Sequence, residues 1–368
     1  MDVAVLAGGR SPEHDVSLAS AAQVLQHLDR SRWRVWPVYL DRAGAWWARR
    51  HPLPAGATWS READTAVGPL RPGAALDWLI DEAGVGVVLP VLHGPYGEDG
   101  TVQGMLELYD LPFVGSGCAA SAVAMDKLRT RQVLSAVSVP LPAAYEPDEP
   151  LDRADARHEF ERMQARIGTP AFVKVDASGS TVGVARITNE AELADFFAAF
   201  RGRFRRWYAE QQVIGEEVTV AVLGNTGDRL RALPAVGIYP RVATWFTHEA
   251  KYRPGATEEL IPPRGLNAAQ IAEISRLAVR CHEALVCDGM SRTDMIVTSE
   301  GPFVLETNTI PGLTKTSLLP QAAAAAGLSF PALLDELLRL ALARPGAQVA
   351  RPARVEPHGA GGTAMSSC

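Results

Sequence analysis

Asp294, Glu306 and Asn308 are the residues whose types and spacing first point to chemistry. The stretch "VLETNTIPGLTKTSLLPQ" (Val304–Gln321) sets a Glu and an Asn two residues apart at the end of an apolar run. A Pro-Gly turn and a cluster of hydroxyls come next. In a strand, residues i and i+2 share a face, so Glu306 and Asn308 point the same way. "SRTDMIV" supplies a second strand with Arg292 and Asp294 at the same spacing. Pairing the two strands would gather Asp294, Glu306 and Asn308 as an oxygen-only donor set. Such a set suits Mg²⁺, which keeps waters and shares phosphate oxygens. The plainer reading is a polar sheet face on which Arg292 pairs with Glu306.

A metal held this way needs phosphates. Lys127 in "MDK", Lys174 in "FVKV" and Lys251 in "EAKY" are the candidate cations. "DASGSTVG", between two strand-like runs, has the small residues and N–H donors of a phosphate cover. Singly these signals are weak: a Gly/Ser hairpin is usually only a hairpin, and a lone Lys is usually only solvated.

The elements that must position these groups alternate at first between β and α. "DVAVLAGG" reads as a buried strand ending in glycines, "SLASAAQVLQHL" as a helix, and "WRVWPVYLD" and "GVGVVLPVLHG" as further strands. That order predicts a parallel, doubly wound first domain, with binding segments at strand carboxyl ends. "GGRSPEHDVS" and "HGPYGEDG" fall at two such ends. "AASAVAMDKLRTRQVLSAV" reads as one long helix. "AFVKVDASGSTVGVARI" reads as a hairpin, and "WYAEQQVIGEEVTVAVLG" and "DGMSRTDMIVTSEGPFVLETN" as strands, the latter with a Ser-Glu-Gly turn. "AELADFFAAFRGRF", "AQIAEISRLAVRCHEAL" and "FPALLDELLRLALA" are helical, so the second half is α+β with antiparallel pairs. Gly237 to Glu259 reads as one long irregular stretch, expected to close over ligands as a lid.

Composition bounds the rest. A chain of 368 residues, 47% hydrophobic and 21% charged, has the make-up of a globular protein of two or three domains. A net charge of −6 gives no global field to recruit nucleic acid. No apolar run is long enough to span a membrane. "MDVAVLAGG" enters a strand at once, so no signal peptide is expected, and the expected location is cytoplasmic. Cys118, Cys281, Cys287 and Cys368 form no tight ligand pattern and read as reduced thiols.

Taken in order, "LAGGRSPEHDVSLASA", "VLHGPYGEDGTVQGMLELYDLPFVGS", "AMDK", "FVKVDASGSTVGVARI", "EAKY", "SRTDMIV" and "VLETNTIPGLTKTSLLPQ" resemble the D-alanine–D-alanine ligases of the ATP-grasp superfamily. The resemblance covers about residues 1–342. It implies an ATP-grasp fold, α/β and α+β. Residues 1–117 would be a doubly wound substrate domain, 118–208 a small central subdomain and 209–342 a metal-binding domain, with 343–368 a mobile tail.

The resemblance also implies an activity: two D-alanines joined through an acyl phosphate at the cost of one ATP, for peptidoglycan precursors, cell-wall biogenesis and cell shape. Two Mg²⁺ (or Mn²⁺) ions would sit on Asp294, Glu306 and Asn308. Lys127 and Lys174 would contact the α- and β-phosphates and Lys251 the γ-phosphate, with Ser180 and Thr181 in the phosphate cover. The hinge segment "AEQQVIGEE" implies Glu210 on the adenine amino group, Gln211 and Val213 through their backbone, and Glu217 on the ribose. Trp245 or Phe246 would pack on the purine. Glu13 would accept the first D-alanine's ammonium, with His93 near it, and Ser180 and Tyr252 would hydrogen-bond at the Glu13 position. Arg292 and the Gly312 N–H would be donors to the oxyanion; Ser317 and the Leu318 N–H would bind the second carboxylate. A homodimer is expected.

Val175-Asp176 after Lys174, where Val-Lys-Pro is usual, and Ser180-Thr181, where two serines are common, depart from the family pattern. An ATP-grasp paralogue joining other amino acids, or D-lactate, in cell-wall resistance or secondary metabolism is the alternative. A nicotinamide-binding protein fails on glycine spacing, since "GGRSPE" lacks G-x-G-x-x-G. A biotin-carboxylase-like enzyme would lack the "EHDVS" segment, and a non-catalytic ATP-grasp protein would have lost metal ligands.

Overall fold

The computed structural model describes residues 1–60, 66–175, 183–241 and 256–344. Its strands form three sheets, met one after another along the chain.

The first sheet holds β1 (Asp2–Gly8), β2 (Arg34–Leu40), β3 (Trp46–Ala48), β4 (Val67–Leu70) and β5 (Val87–Val91), in the order β4-β3-β2-β1-β5. β1, β2 and β5 are parallel, as their spacing predicts. β3 and β4 add an antiparallel edge that the short run of Trp46–Ala48 did not announce. Both faces are covered, so β1 is apolar after Asp2. Val3, Val5 and Ala7 pack towards α1 (His14–His27), while Ala4 and Leu6 pack towards α2 (Pro72–Asp81) and α3 (Thr101–Leu108). The chain reverses its direction of strand addition between β1 and β5, which makes their carboxyl ends the switch point where ligands sit in such sheets.

The segment read as one long helix is two: α4 (Cys118–Met125) and α5 (Lys127–Ala136). Asp126 interrupts it, with φ −82° and ψ 98°, and its carboxylate accepts the Arg129 N–H at 3.0 Å. An Asp at an N-cap satisfies a donor that helix continuation would have left to the backbone. Val123, Val133, Leu134, Val137 and Val139 then pack into the core under the third sheet. So α5 packs under the third sheet, while α4 also meets α3, whose Glu107 accepts the Cys118 N–H at 2.8 Å.

The second sheet holds β6 (Ala144–Tyr145), β7 (Ala171–Val175), β8 (Val184–Ile187) and β9 (Trp207–Gln211), in the order β6-β9-β7-β8. β7 and β8 are the expected hairpin arms. The expected domain break between 208 and 209 falls inside β9. One face (Ala171, Val173, Val175, Trp207 and Ala209) is buried under α6 (Ala156–Ile167) and α7 (Glu190–Phe200).

The third sheet holds β10 (Glu216–Leu223), β11 (Arg231–Ala232), β12 (Val236–Pro240), β13 (Thr257–Leu260), β14 (Met290–Thr298) and β15 (Gly301–Asn308). Its main path is β13-β12-β10-β14-β15. Val218, Val220, Val222, Met295 and Val297 bury one face against α8 (Ala268–Ala284). On the other face Ala221, Leu223, Val236 and Ile238 share a core with α9 (Leu318–Ala325), α10 (Phe330–Ala343) and the α1 side of the first sheet. The ends of the expected irregular stretch, 237–259, are therefore antiparallel strands, β12 and β13. Residues 242–255 within it lie outside the described residues.

The chain stays anchored past the expected start of the tail at 343. Arg344 donates to the Gly115 carbonyl at 3.1 Å, lies 3.3 Å from Asp288 and stacks over Phe113. Residues 345–368 lie outside the described residues. No helix among the described residues is long and apolar enough to cross a membrane.

Candidate active site

The second and third sheets face each other across a cleft, and residues 212–215 carry the chain from β9 to β10 between them. On β7 and β9 the buried side alternates with the open side, so Phe172, Lys174 and Glu210 line the cleft. Opposite them stand Glu217 of β10, Asp294 and Ile296 of β14, and Leu305 and Glu306 of β15. The crossing is tight: a Cβ on Gly215 would meet the Val297 carbonyl oxygen at 2.2 Å. Gln211, Val213 and the exposed Ile214 form the rim.

Register does the positioning on the third sheet. Asp294 lies opposite Glu306, and Arg292 opposite Asn308, so all four share one face. A bulge just after Asp294 leaves Leu305 as the extra residue and re-aims this end of the pair. The plainer sequence reading paired Arg292 with Glu306; the structure pairs it differently. Arg292 Nε and Nη2 grip the two Asp294 oxygens at 2.9 and 2.8 Å. Thr219 donates to Asp294 Oδ1 at 2.6 Å, and the Asn308 amide lies 3.5 Å from Oδ2. Glu306 instead faces Lys127, at 3.4 Å. Lys127 reaches it because the Asp126 break starts α5 at that residue.

Glu210 is buried, with one oxygen 2.6 Å from Arg131 and the other bonded to Lys174. Two carboxylates and an amide on one face fit a hard cation that takes its remaining ligands from water and phosphate. Among the described residues no group of three or more His, Cys, Asp or Glu is placed to hold a metal alone.

Glu13 and His93 meet at the switch point of the first sheet. Glu13 caps the start of α1 in position, and His93 comes just after β5. Gly94 lies between them at φ +70°; a Cβ there would come within 2.6 Å of Glu13 Oε2 and 2.4 Å of Ser11 Oγ. His93 is buried, 3.7 Å from Glu98 and 3.4 Å from Ser20.

Gly312, Ser317 and Leu318 also come together. A Cβ on Gly312 would sit 2.7 Å from Ser317 Oγ, and Ser317 is the residue before the first turn of α9. First-turn N–H groups have no acceptor within their helix, so they are ready donors to a carboxylate. Ser317 Oγ accepts the Thr314 N–H at 3.0 Å. Ser180, Thr181, Trp245, Phe246, Lys251 and Tyr252 lie outside the described residues.

Three neighbours escaped the sequence reading. Phe172 shares the face of Lys174 by simple alternation. Arg131 lies one helical turn after Lys127, a spacing that puts both on one side of α5. Glu259, on β13, left no local signal: the Gln321 amide bonds it, and Gln321 also holds the Thr316 carbonyl at 2.8 Å. Burial pushes the Glu259 carboxyl above its ordinary range, against the pull of Gln321 and Arg292.

Two family models match the chain. Residues 2–116 match the family model described as D-ala D-ala ligase N-terminus, and residues 135–339 the one described as D-ala D-ala ligase C-terminus. The D-alanine–D-alanine ligase of Syntrophobacter fumaroxidans is 40% identical over 343 residues, covering 93% of this chain and 98% of its own. Among solved structures, the Bacillus anthracis D-alanine–D-alanine ligase complexed with ATP superposes with a TM-score of 0.70 at 27% identity, covering 93% of this chain and 97% of its own. The VanG D-Ala:D-Ser ligase of Enterococcus faecalis gives a TM-score of 0.73 at 29% identity, covering 92% and 99%. With both halves matched and a relative this similar along nearly its whole length, the chain belongs to the D-alanine–D-alanine ligase family, enzymes of the ATP-grasp fold.

Proposed function

We propose that this enzyme joins two D-alanines to D-alanyl-D-alanine, at the cost of one ATP, for peptidoglycan precursor synthesis. The observation that carries this reading is the cleft itself. Its walls bring Lys127, Lys174, Glu210, Asp294 and Glu306 together with the apolar Phe172, Ile296 and Leu305, and Glu13 and the Gly312–Leu318 segment would serve as separate amino-acid subsites.

In this reading the nucleotide lies between the sheets. Glu210 accepts from the adenine amino group, the Gln211 and Val213 backbone reads the base edge, and Glu217 accepts from the ribose. Phe172, with Trp245 or Phe246, packs on the ring. Lys127 and Lys174 neutralise the α- and β-phosphates and Lys251 the γ-phosphate, with Ser180 and Thr181 donating to them. Asp294, Glu306 and Asn308 would hold two Mg²⁺ ions, which when bound offset phosphate charge.

Glu13 and His93 fix the first D-alanine so that its carboxylate oxygen points at the γ-phosphorus. That oxygen forms the new P–O bond, and ADP leaves with the electrons of the broken one. The second D-alanine, held by Ser317 and the Leu318 N–H, brings its free amine to the acyl carbonyl. Arg292 and the Gly312 N–H donate to the oxyanion that forms. The C–O bond to phosphate then breaks, and the amine loses its extra proton. By resemblance to the family, Tyr252 and Ser180 would hydrogen-bond at the Glu13 position and hold the subsites together. A cytoplasmic homodimer is part of the proposal, and light scattering checks the assembly.

The test is phosphate release from ATP with D- and L-amino acids, singly and in pairs. D-alanine alone should sustain turnover. Release that needs an L-amino acid, or a second compound beside D-alanine, would favour a paralogue with another product.

A further inference from the structure

Glu210 is 2% exposed, and each of its carboxylate oxygens holds a different cation. Lys174 bonds Oε2 from β7, which pairs with β9 in the same sheet. Arg131 reaches Oε1 from α5, at 2.6 Å. Arg131 is held at a second point, where Nη2 donates to the Pro142 carbonyl at 2.7 Å, on the segment that leads into the second sheet. Only a planar, multi-donor guanidinium can span those two acceptors at once. Lys174 has a single flexible ammonium, which also lies 5.9 Å from the Tyr208 ring centre.

The two cations therefore have different freedom. If Lys174 turns to phosphate, as nucleotide binding in this cleft requires, it leaves Glu210. A carboxylate buried this deeply is costly without a remaining counterion. We infer that Arg131 is a positioning residue: it is the standing counterion of Glu210, and it frees Lys174 to be handed from that carboxylate to the nucleotide phosphates. Glu210 meanwhile stays aimed at the base. The inference rests on reading the cleft as a nucleotide site. It adds that affinity for phosphate is set partly by a residue that touches no phosphate.

Calorimetry on the full-length protein tests it, with ADP and adenosine as probes. Arg131→Gln keeps a polar amide but removes the charge; Arg131→Lys keeps the charge; Arg131→Met removes both. Arg131→Gln and Arg131→Met should weaken ADP binding roughly 10- to 100-fold, a usual size for coupling between sites. Adenosine binding should change far less, because only the phosphate share depends on releasing Lys174. Arg131→Lys should recover most of the loss. In a Glu210→Gln background, where no buried charge needs a partner, Arg131→Gln should cost little more.

Equal losses for ADP and adenosine would overturn the inference and leave Arg131 as a wall of the cleft. So would unchanged ADP binding in Arg131→Gln, or additive losses in the double variant. Binding is read here without ligation. ADP binding with the expected variant pattern, but no D-alanine-dependent turnover, would overturn the proposed function and leave the role of Arg131 standing.

Discussion

Within the cleft, charges stand beside opposite charges: Lys127 beside Glu306, Lys174 and Arg131 beside Glu210, Arg292 on Asp294. Groups this buried are costly to leave uncompensated, so internal pairing of the charges is expected. Bound ligands then exchange partners with them. Glu306 offers the simplest case, since replacing it by Gln keeps the shape but removes the charge facing Lys127. Glu306→Gln should lower D-alanine-dependent phosphate release by about 10²- to 10³-fold, with a melting temperature close to that of the unaltered protein. Near-normal release would remove Glu306 from the proposed chemistry.

The pairing of Asp294 with Glu306 was legible, because period-two spacing on two runs joined by a short turn leaves few registers. Lys127 as the partner of Glu306 was not. It comes from a helix start far away in sequence, and nothing local ties the two together. Glu259 was equally hidden, since its partners come from distant segments.

The elements read best were the long periodic ones. β1, β2 and β5, the β7–β8 hairpin and α8 all lie where alternation or helical spacing puts them. The misses have physical causes. A three-residue edge strand carries too little pattern to read, and an Asp inside a helical run is ambiguous until its side chain finds a cap. Within α8, His282 is buried with Nδ1 2.7 Å from Ser291 Oγ. Burial lowers its pKa from the ordinary 6.5 to about 4. The folded value lies below the unfolded one, so the neutral imidazole's contribution is full above pH 6.5 and is lost as pH falls towards 4. The loss is about 3 kcal/mol at most. His282→Gln should therefore flatten the fall of melting temperature between pH 7 and 5; parallel curves for variant and parent would contradict this. In the same core the Cys281 and Cys287 thiols are pushed up to about 12 by burial, which makes them poor nucleophiles.

At the scale of the molecule, one core joins the α1 face of the first sheet to the third sheet through α9 and α10. α10 is tied both along its length and at its end. Asp335 accepts from Trp33 Nε1 at 2.6 Å, and Arg344 links Gly115 to Asp288. Burial raises the Asp288 carboxyl, and Arg344 opposes that rise. Arg344→Ala should lower the melting temperature by about 2–4 °C, measured by calorimetry. A chain ending after Arg344 should melt like the full one. No change in the Arg344→Ala variant would mean that the tie is only a surface contact. Composition marked the end of the chain as unlike the rest, but the anchoring of Arg344 was out of reach, because its three partners come from two distant segments.

The central claim is that the carboxylate of one D-alanine takes a phosphoryl group before the amine of another attacks it. D-alanine labelled with ¹⁸O in its carboxylate tests this directly, with the phosphate and dipeptide analysed by mass. The expected result is D-alanyl-D-alanine as the product and one ¹⁸O in each phosphate released, because the C–O bond to phosphate breaks when the amide forms. Phosphate without label would mean that water cleaves ATP and that the acyl phosphate does not form.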